Sequence, residues 1–344
     1  MIHFFSDIAA LNDKLNELTM SYSSVFILCD ENTKKHCLPL IEIKANTIEI
    51  QSGEVNKNLR SCEYIWDELT SKFADRKSLL INLGGGVICD MGGFAASCYK
   101  RGIDFVNIPT TLLAMVDASV GGKTGIDFNG FKNQIGVFNE AKEVLICTEF
   151  LKTLDERQIK SGLAEVVKHY LIADKAVFMA FTQKGAATLD IALIQKAVEI
   201  KSEIVALDPF EKNIRKKLNF GHTIGHALES HSLTSSEALL HGEAVAYGMA
   251  IEAYIAAFAS LIDEEKAGFI SHTLETVFDL KPLTDDTIVG IMHFVHQDKK
   301  NEKGIIKMAL IDDIGSCKID VEVDAEGIKA AIRYFNKTVT PHTL

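Results

Sequence analysis

His222 and His226 stand four residues apart in Asn219-Phe220-Gly221-His222-Thr223-Ile224-Gly225-His226, and His241-Gly242-Glu243 follows. The stretch around them otherwise reads as an apolar helical core. A buried imidazole or carboxylate is costly unless it is paired or bound to a metal, so these residue types point to a metal site. Spacing alone selects His222 and His226 as a ligand pair on one helix face. It does not decide whether His241 replaces one of them, and the plainer reading is a pair of satisfied core histidines.

Upstream, Ser161 to His169 sets Glu165 among Leu163, Ala164, Val166 and Val167. Glu165 and Lys168, at i,i+3, make a weak surface pair on the plainer reading. The apolar flanks argue instead for burial. One carboxylate and two imidazoles with an open position match a catalytic zinc site. Lys201, Glu211, Arg215 and Asn219 approach the first histidine along the chain, and Asp298-Lys299-Lys300 adds charge later. Lys216 and Lys217 read as a solvated basic face.

A second chemistry is written in glycine. Leu79 to Leu83 runs into Gly84-Gly85-Gly86-Val87-Ile88-Cys89-Asp90. Glycines let backbone amides approach a phosphate, and a following helix N-terminus favours negative charge. The run is not the G-x-G-x-x-G fingerprint, so a plain tight turn competes evenly. Ile108-Pro109-Thr110-Thr111 ends another strand, where the hydroxyls can cap the next helix. Two strand ends furnished this way fit a cofactor across the carboxyl edge of a sheet. Asp117 to Gly125 and Phe131 to Gly136 read as glycine-rich loops whose Lys123 and Lys132 favour anions.

These residues need a scaffold. Runs at 25–29, 47–50, 78–83, 104–108 and 144–147 are strand-like, with a helical pattern over 59–73 between them, which reads as α/β with a largely parallel sheet. After about residue 150, helical periodicity dominates at 159–172, 191–207, 223–231, 243–260 and 287–294. Only 304–311 and 317–321 look like a late hairpin. The length of 344 residues suits two domains. The net charge of -11 argues against nucleic acid or an anionic membrane as the main partner, though not against a small anion. No apolar run spans a bilayer, and the N-terminus lacks the pattern of a signal peptide. Seven scattered cysteines without C-x-x-C read as reduced thiols of a cytoplasmic protein.

Assembled in order, these motifs resemble the 3-dehydroquinate synthases, sugar phosphate cyclases of the shikimate route to aromatic amino acids. The resemblance runs from about Ser52 to Lys300 and includes Ser52 to Lys57, Gly84 to Asp90, Pro109-Thr110-Thr111, Val116 to Thr124, Lys132-Asn133, Glu165 to Lys168, Asn219 to His226 and His241-Gly242-Glu243. It implies an α/β NAD-binding domain over 1–153 and a mainly helical metal- and substrate-binding domain over 154–344. It also implies one divalent metal, zinc or cobalt, on Glu165, His222 and His241, with His226 moved to substrate contact and proton transfer. NAD contacts would fall on Ser52, Gly53, Glu54, Val55, Asn56, Lys57, Gly86, Val87, Ile88, Cys89, Asp90, Thr110, Thr111, Lys123, Lys132, Phe150, Leu151, Lys152 and Thr153. The substrate's carboxylate and phosphate would fall to Arg101, Lys123, Asn133, Lys168, Lys201, Arg215, Asn219, His226 and Lys299, with Asp117 and Glu211 as further acidic positions.

The implied reaction is a carbon–oxygen lyase reaction. The sugar phosphate 3-deoxy-D-arabino-heptulosonate 7-phosphate becomes 3-dehydroquinate and phosphate through transient oxidation by NAD, β-elimination, re-reduction and aldol closure. A homodimer is the family expectation. The chain departs from the family pattern at Cys89, Phe131, Pro209-Phe210 and Asn213, and the first two are expected to disturb the cofactor loops. The alternatives are another sugar phosphate cyclase, or a metal-dependent polyol dehydrogenase that would accumulate NADH.

Overall fold

The computed structural model describes residues 1–129, 131–184, 190–233, 238–297 and 305–339. Its contacts divide the chain into two compact units, Met1–Gly162 and Leu163–Leu344.

The first unit begins with β1 (Ile2–Phe5), α1 (Ile8–Thr19), β2 (Val25–Asp30), α2 (Glu31–His36), β3 (Asn46–Ile50) and α3 (Leu59–Ser71). It continues with β4 (Leu79–Gly84), α4 (Gly86–Cys98), β5 (Asp104–Pro109), β6 (Lys123–Phe128), β7 (Phe131–Phe138) and β8 (Glu143–Cys147). Six strands form one sheet in the order β1-β8-β5-β4-β2-β3, every pairing parallel. β2, β4 and β8 are buried almost throughout, as a parallel sheet requires, so their sequences read as continuous apolar runs. One face packs on α3 and α4 through Ile65, Leu69, Met91 and Phe94, and the Trp66 indole donates to the Ala95 carbonyl at 2.9 Å.

Because the strands are parallel, the segments leaving β3, β4, β5 and β8 all emerge at one edge. The strand order reverses between β2 and β4, the position where α/β sheets bind ligands.

Lys123 and Lys132 lie not in open loops but on β6 and β7, an antiparallel hairpin pairing Gly125 with Gly136. A Cβ on Gly125 would lie 2.7 Å from the Ile135 carbonyl oxygen, so glycine serves close strand approach there.

α5 (Glu156–Ala173) carries the division between the units. The expected domain boundary after residue 153 falls just before it. The second unit adds α6 (Lys175–Lys184), α7 (Ile191–Leu207), α8 (His222–Ser232), α9 (His241–Phe258), α10 (Glu264–Phe278) and α11 (Asp285–Gln297). An antiparallel hairpin, β9 (Ile305–Asp313) with β10 (Ser316–Asp324), and α12 (Ala325–Thr338) complete it.

α9 is the central helix. It is buried on nearly every side from Ala244 to Ala256 and packs against α8, α10 and α12. Among the described residues no helix is long and apolar enough to cross a membrane. All seven cysteines carry free thiols.

Candidate functional site

In the second unit, Glu165 rises from α5, His222 and His226 from α8, and His241 opens α9. Close helix packing brings them together. Gly221 takes a left-handed φ of +81° at the turn into α8. A Cβ on Gly248 would collide with the Gly221 carbonyl oxygen, so α8 and α9 approach more closely than larger residues allow.

Glu165 is fully buried, and its Oε1 has no hydrogen-bond partner. That oxygen lies 3.4 Å from His241 Nε2 and 3.6 Å from His222 Nε2. Two ligands of a tetrahedral zinc, each bonded at about 2.0–2.1 Å, stand about 3.3 Å apart. Each imidazole nitrogen is therefore spaced from the carboxylate oxygen about as a shared cation would hold it.

The other oxygen of Glu165 pairs with the Lys168 ammonium. Both residues are buried, so the pair is not the solvated i,i+3 bridge of the plainer reading. The three histidines each offer a nitrogen within 4.8 Å of the others. His226 is exposed and His222 and His241 are half-buried, so none is a satisfied core histidine.

The electrostatics differ between neighbours. Burial works to raise the Glu165 carboxyl, but Lys168 and the two histidines outweigh it and hold it well below the ordinary range. Burial, then Lys168, hold His222 well below its usual value, which keeps the ring neutral and able to ligate. Burial opposes the charge on His241, yet Glu165 and Glu229 together push it up to about 9. His222 Nδ1 lies 3.2 Å from the Phe220 carbonyl, a partner that leaves Nε2 as the lone-pair nitrogen.

Cations and their positioning groups gather along the same unit. Lys201 on α7 and Arg215 are buried. Asp208 accepts the backbone amides of Lys212, Asn213 and Arg215, and the Arg215 guanidinium donates to the Pro209 carbonyl at 2.6 Å. The departures at Pro209 and Asn213 thus contribute backbone groups that residues of other types also carry. Asn219 donates to Glu211 at 2.7 Å. Lys299 lies outside the described residues.

In the first unit the glycine turn caps α4 through Gly85, with no side-chain cap at that helix end. Its amides are left for an anion. A Cβ on Gly85 would lie 3.2 Å from Thr111 Cγ2, and one on Gly86 3.3 Å from Ala118 Cβ, so the two strand ends meet. Thr110 donates its amide to Gly84, and Thr111 Oγ1 accepts from Ala114, the expected cap.

Lys57 is buried and donates to Asp90 Oδ2 and Asn133 Oδ1, each at 2.6 Å. Burial opposes its charge, but Asp90 and Glu54 prevail and raise its pKa. Ser52 donates to Glu31 through both amide and hydroxyl, and Lys132 lies 3.9 Å from Glu54. Gly53 takes a φ of +96° at the turn holding Glu54, Val55 and Asn56. Lys123 lines a small recess with Cys89, Asn107, Ser119 and Thr124.

Not every proposed contact can use its side chain. Ile88, Cys89 and Phe150 face the core, leaving backbone groups for any cofactor. Cys89 sits within an intact α4, so the helix accommodates that departure, and exposed Phe131 pairs opposite Phe128 in the hairpin. Val87, Leu151, Lys152 and Thr153 remain near strand ends, with Lys152 bound to Glu149. Arg101, followed by Gly102 and Ile103 before β5, takes a left-handed φ of +68° at the amino edge of the sheet. It is not gathered with the carboxyl-edge residues of its unit.

Three residues were missed. Glu229 faces His241, and its signal is the 222, 226, 229 stripe of α8. Asp208 organises the Arg215 loop. Glu252 is fully buried and accepts from Gly221 and Ile224 at the start of α8. Its signal is a carboxylate inside the Ala- and Ile-rich run of α9. Burial pushes it up to about 8 against those amides. Glu243 itself turns back to accept the Leu240 amide at 2.7 Å.

The profile described as 3-dehydroquinate synthase N-terminal matches residues 47–161, and the C-terminal one matches residues 162–301. A 3-dehydroquinate synthase of Parabacteroides distasonis is 42% identical over 340 residues, 95% of each chain. Among solved structures, a 2-epi-5-epi-valiolone synthase from Streptomyces hygroscopicus with NAD+ and Zn2+ bound aligns with a TM-score of 0.86. It is 26% identical, covering 98% of this chain and 96% of that one. A 2-deoxy-scyllo-inosose synthase complexed with carbaglucose-6-phosphate, NAD+ and Co2+ also gives 0.86, at 23% identity and 97% and 96% coverage, a likeness of fold. With both profiles and a near full-length relative in agreement, the chain belongs to the 3-dehydroquinate synthase family.

Proposed function

We propose that this protein converts 3-deoxy-D-arabino-heptulosonate 7-phosphate to 3-dehydroquinate and phosphate, using NAD catalytically and one divalent metal, zinc or cobalt. The observation that carries the metal reading is the buried Glu165 Oε1 facing the Nε2 atoms of His222 and His241 at 3.6 and 3.4 Å. In this reading those three side chains hold the ion. When bound, the ion would stabilise a substrate alkoxide and NAD would take and return one hydride.

The chain's own residues do the rest. Gly85, Gly86 and the start of α4 offer amides to the cofactor's diphosphate, and Lys57 braces Asp90 and Asn133 around it. Lys168 neutralises one oxygen of Glu165 and keeps that carboxylate ionised. Lys168, Lys201 and Arg215 orient the phosphate and carboxylate of the substrate, and fixed cations in dry surroundings act strongly on such charges. Exposed His226, beside both other rings, is placed to contact substrate and move a proton. The cytoplasm as its place of action and a homodimer as its assembly complete the reading.

The deciding experiment supplies the heptulosonate phosphate with NAD and follows phosphate and NADH, with and without a chelator. Phosphate release without net NADH, abolished by chelation and restored by zinc, is expected. Stoichiometric NADH would mark a polyol dehydrogenase, and no phosphate from this substrate would point to another cyclase.

A further inference from the structure

We infer that Glu229 is a positioning residue for the metal site: it holds the His241 ring so that Nε2 faces the ion. The inference rests on the metal reading above and deepens it. Glu229 lies on α8 seven residues beyond His222 and three beyond His226, on the same stripe of the helix. Its side chain is only 7% exposed, and Oε2 stands 3.4 Å from His241 Nδ1. The other nitrogen of that ring, Nε2, stands 3.4 Å from Glu165 Oε1. The imidazole therefore lies between two carboxylates, one for each nitrogen.

With a cation between Nε2 and Glu165, only one tautomer serves both sides. With the proton on Nδ1, the ring donates to Glu229 and presents the Nε2 lone pair toward Glu165 and any shared cation. His222 is oriented differently, by a neutral carbonyl at Phe220. A carboxylate partner makes an imidazole the stronger electron donor, so His241 becomes the tighter of the two nitrogen ligands.

The place of Glu229 in the helix supports the assignment. It sits in the last turn of α8, where the helix dipole disfavours negative charge, and it is buried. Stability alone favours an apolar or basic residue at such a position. Ser232 Oγ accepts the Leu239 amide at 3.0 Å and donates to the Glu229 carbonyl at 2.7 Å, tying the start of α9 to the same helical turn. The distance from carboxylate to ring is thus fixed by backbone as well as by side chain.

The test uses the full chain stripped of metal, with zinc affinity read by chelator competition and the visible absorption of the Co(II) form as a second readout. Glu229→Ala is expected to weaken zinc about 10- to 100-fold and to shift the Co(II) bands. Glu229→Gln, which keeps an acceptor for Nδ1–H, is expected to recover much of the affinity while still shifting the bands. Unaltered affinity and spectrum in Glu229→Ala would overturn the inference. If that variant does not fold, unaltered affinity and spectrum in Glu229→Gln overturn it in the same way. Wild-type protein and His241→Ala run alongside. A wild type that binds no zinc sinks the metal reading and this inference together. Loss in His241→Ala without change in either Glu229 variant sinks this inference alone.

Discussion

The two units build their candidate sites from opposite materials. In the first, the residues gathered at the carboxyl edge act mainly through backbone: a glycine turn, an uncapped helix end and strand ends that meet. In the second, the work falls to buried charge: Glu165, Lys168 and Arg215, with Glu229 and Glu252 behind the histidines. A backbone site is sensitive to added bulk and tolerant of changed side-chain chemistry. A site of buried charge is sensitive to any deletion, because each loss strands a partner. The contrast is therefore open to mutation.

The largest effect is expected from Glu165→Ala. It removes a proposed ligand and leaves Lys168 as an unpaired buried ammonium, costing about 3–5 kcal/mol. Zinc content and urea midpoint should fall together. Zinc retained at one per chain would break the comparison at its strongest point.

Gly86→Val comes next. The added side chain meets Ala118 and crowds the turn, and about 1–3 kcal/mol of strain corresponds to a roughly 5- to 150-fold weaker NAD. Zinc affinity should be unchanged, since every proposed ligand belongs to the other unit. Equal loss of both ligands would show that the two sites are not built independently.

These two positions also show what the sequence made legible. Glu165, His222 and His241 were readable because charged side chains amid apolar neighbours stand out. Spacing nevertheless left the choice among His222, His226 and His241 open, since α9 enters from a different part of the chain. The six parallel strands were mostly legible, but β1 and helices α1, α2, α6, α10 and α12 were not: β1 and α2 are too short to show a period, whereas α12 does carry one in Ile328, Ala331, Ile332 and Phe335. The β6–β7 hairpin was hidden because its glycines, placed for close strand approach, look like loop residues. Glu229 and Glu252 carry helical-stripe and buried-carboxylate signals, but those signals do not say which histidine or helix start each one braces.

A smaller effect concerns pH. Burial raises Glu252 from its usual 4.5 to about 8, so between those values the folded protein binds more protons than the unfolded one. Its contribution to stability is then full below about pH 4.5 and is lost as pH rises through 8. In metal-free protein, the drop in urea midpoint from pH 5 to pH 8.5 should be shallower in Glu252→Gln than in wild type. Identical pH profiles would show that this carboxyl titrates normally.

The smallest effect is expected from Thr111→Val, which removes the hydroxyl accepting the Ala114 amide at 3.1 Å. Loss of such a cap costs about 1 kcal/mol, read as a modest fall in Tm with zinc affinity intact. No change in Tm would mean that the turn after β5 is held by backbone alone, which sharpens the contrast further.

The most direct test of the central claim is a crystal structure of the zinc-loaded protein. One zinc per chain, bonded to Glu165 and to the Nε2 atoms of His222 and His241, is the predicted result. Zinc held by His222 and His226 without Glu165, or bound elsewhere, would contradict it.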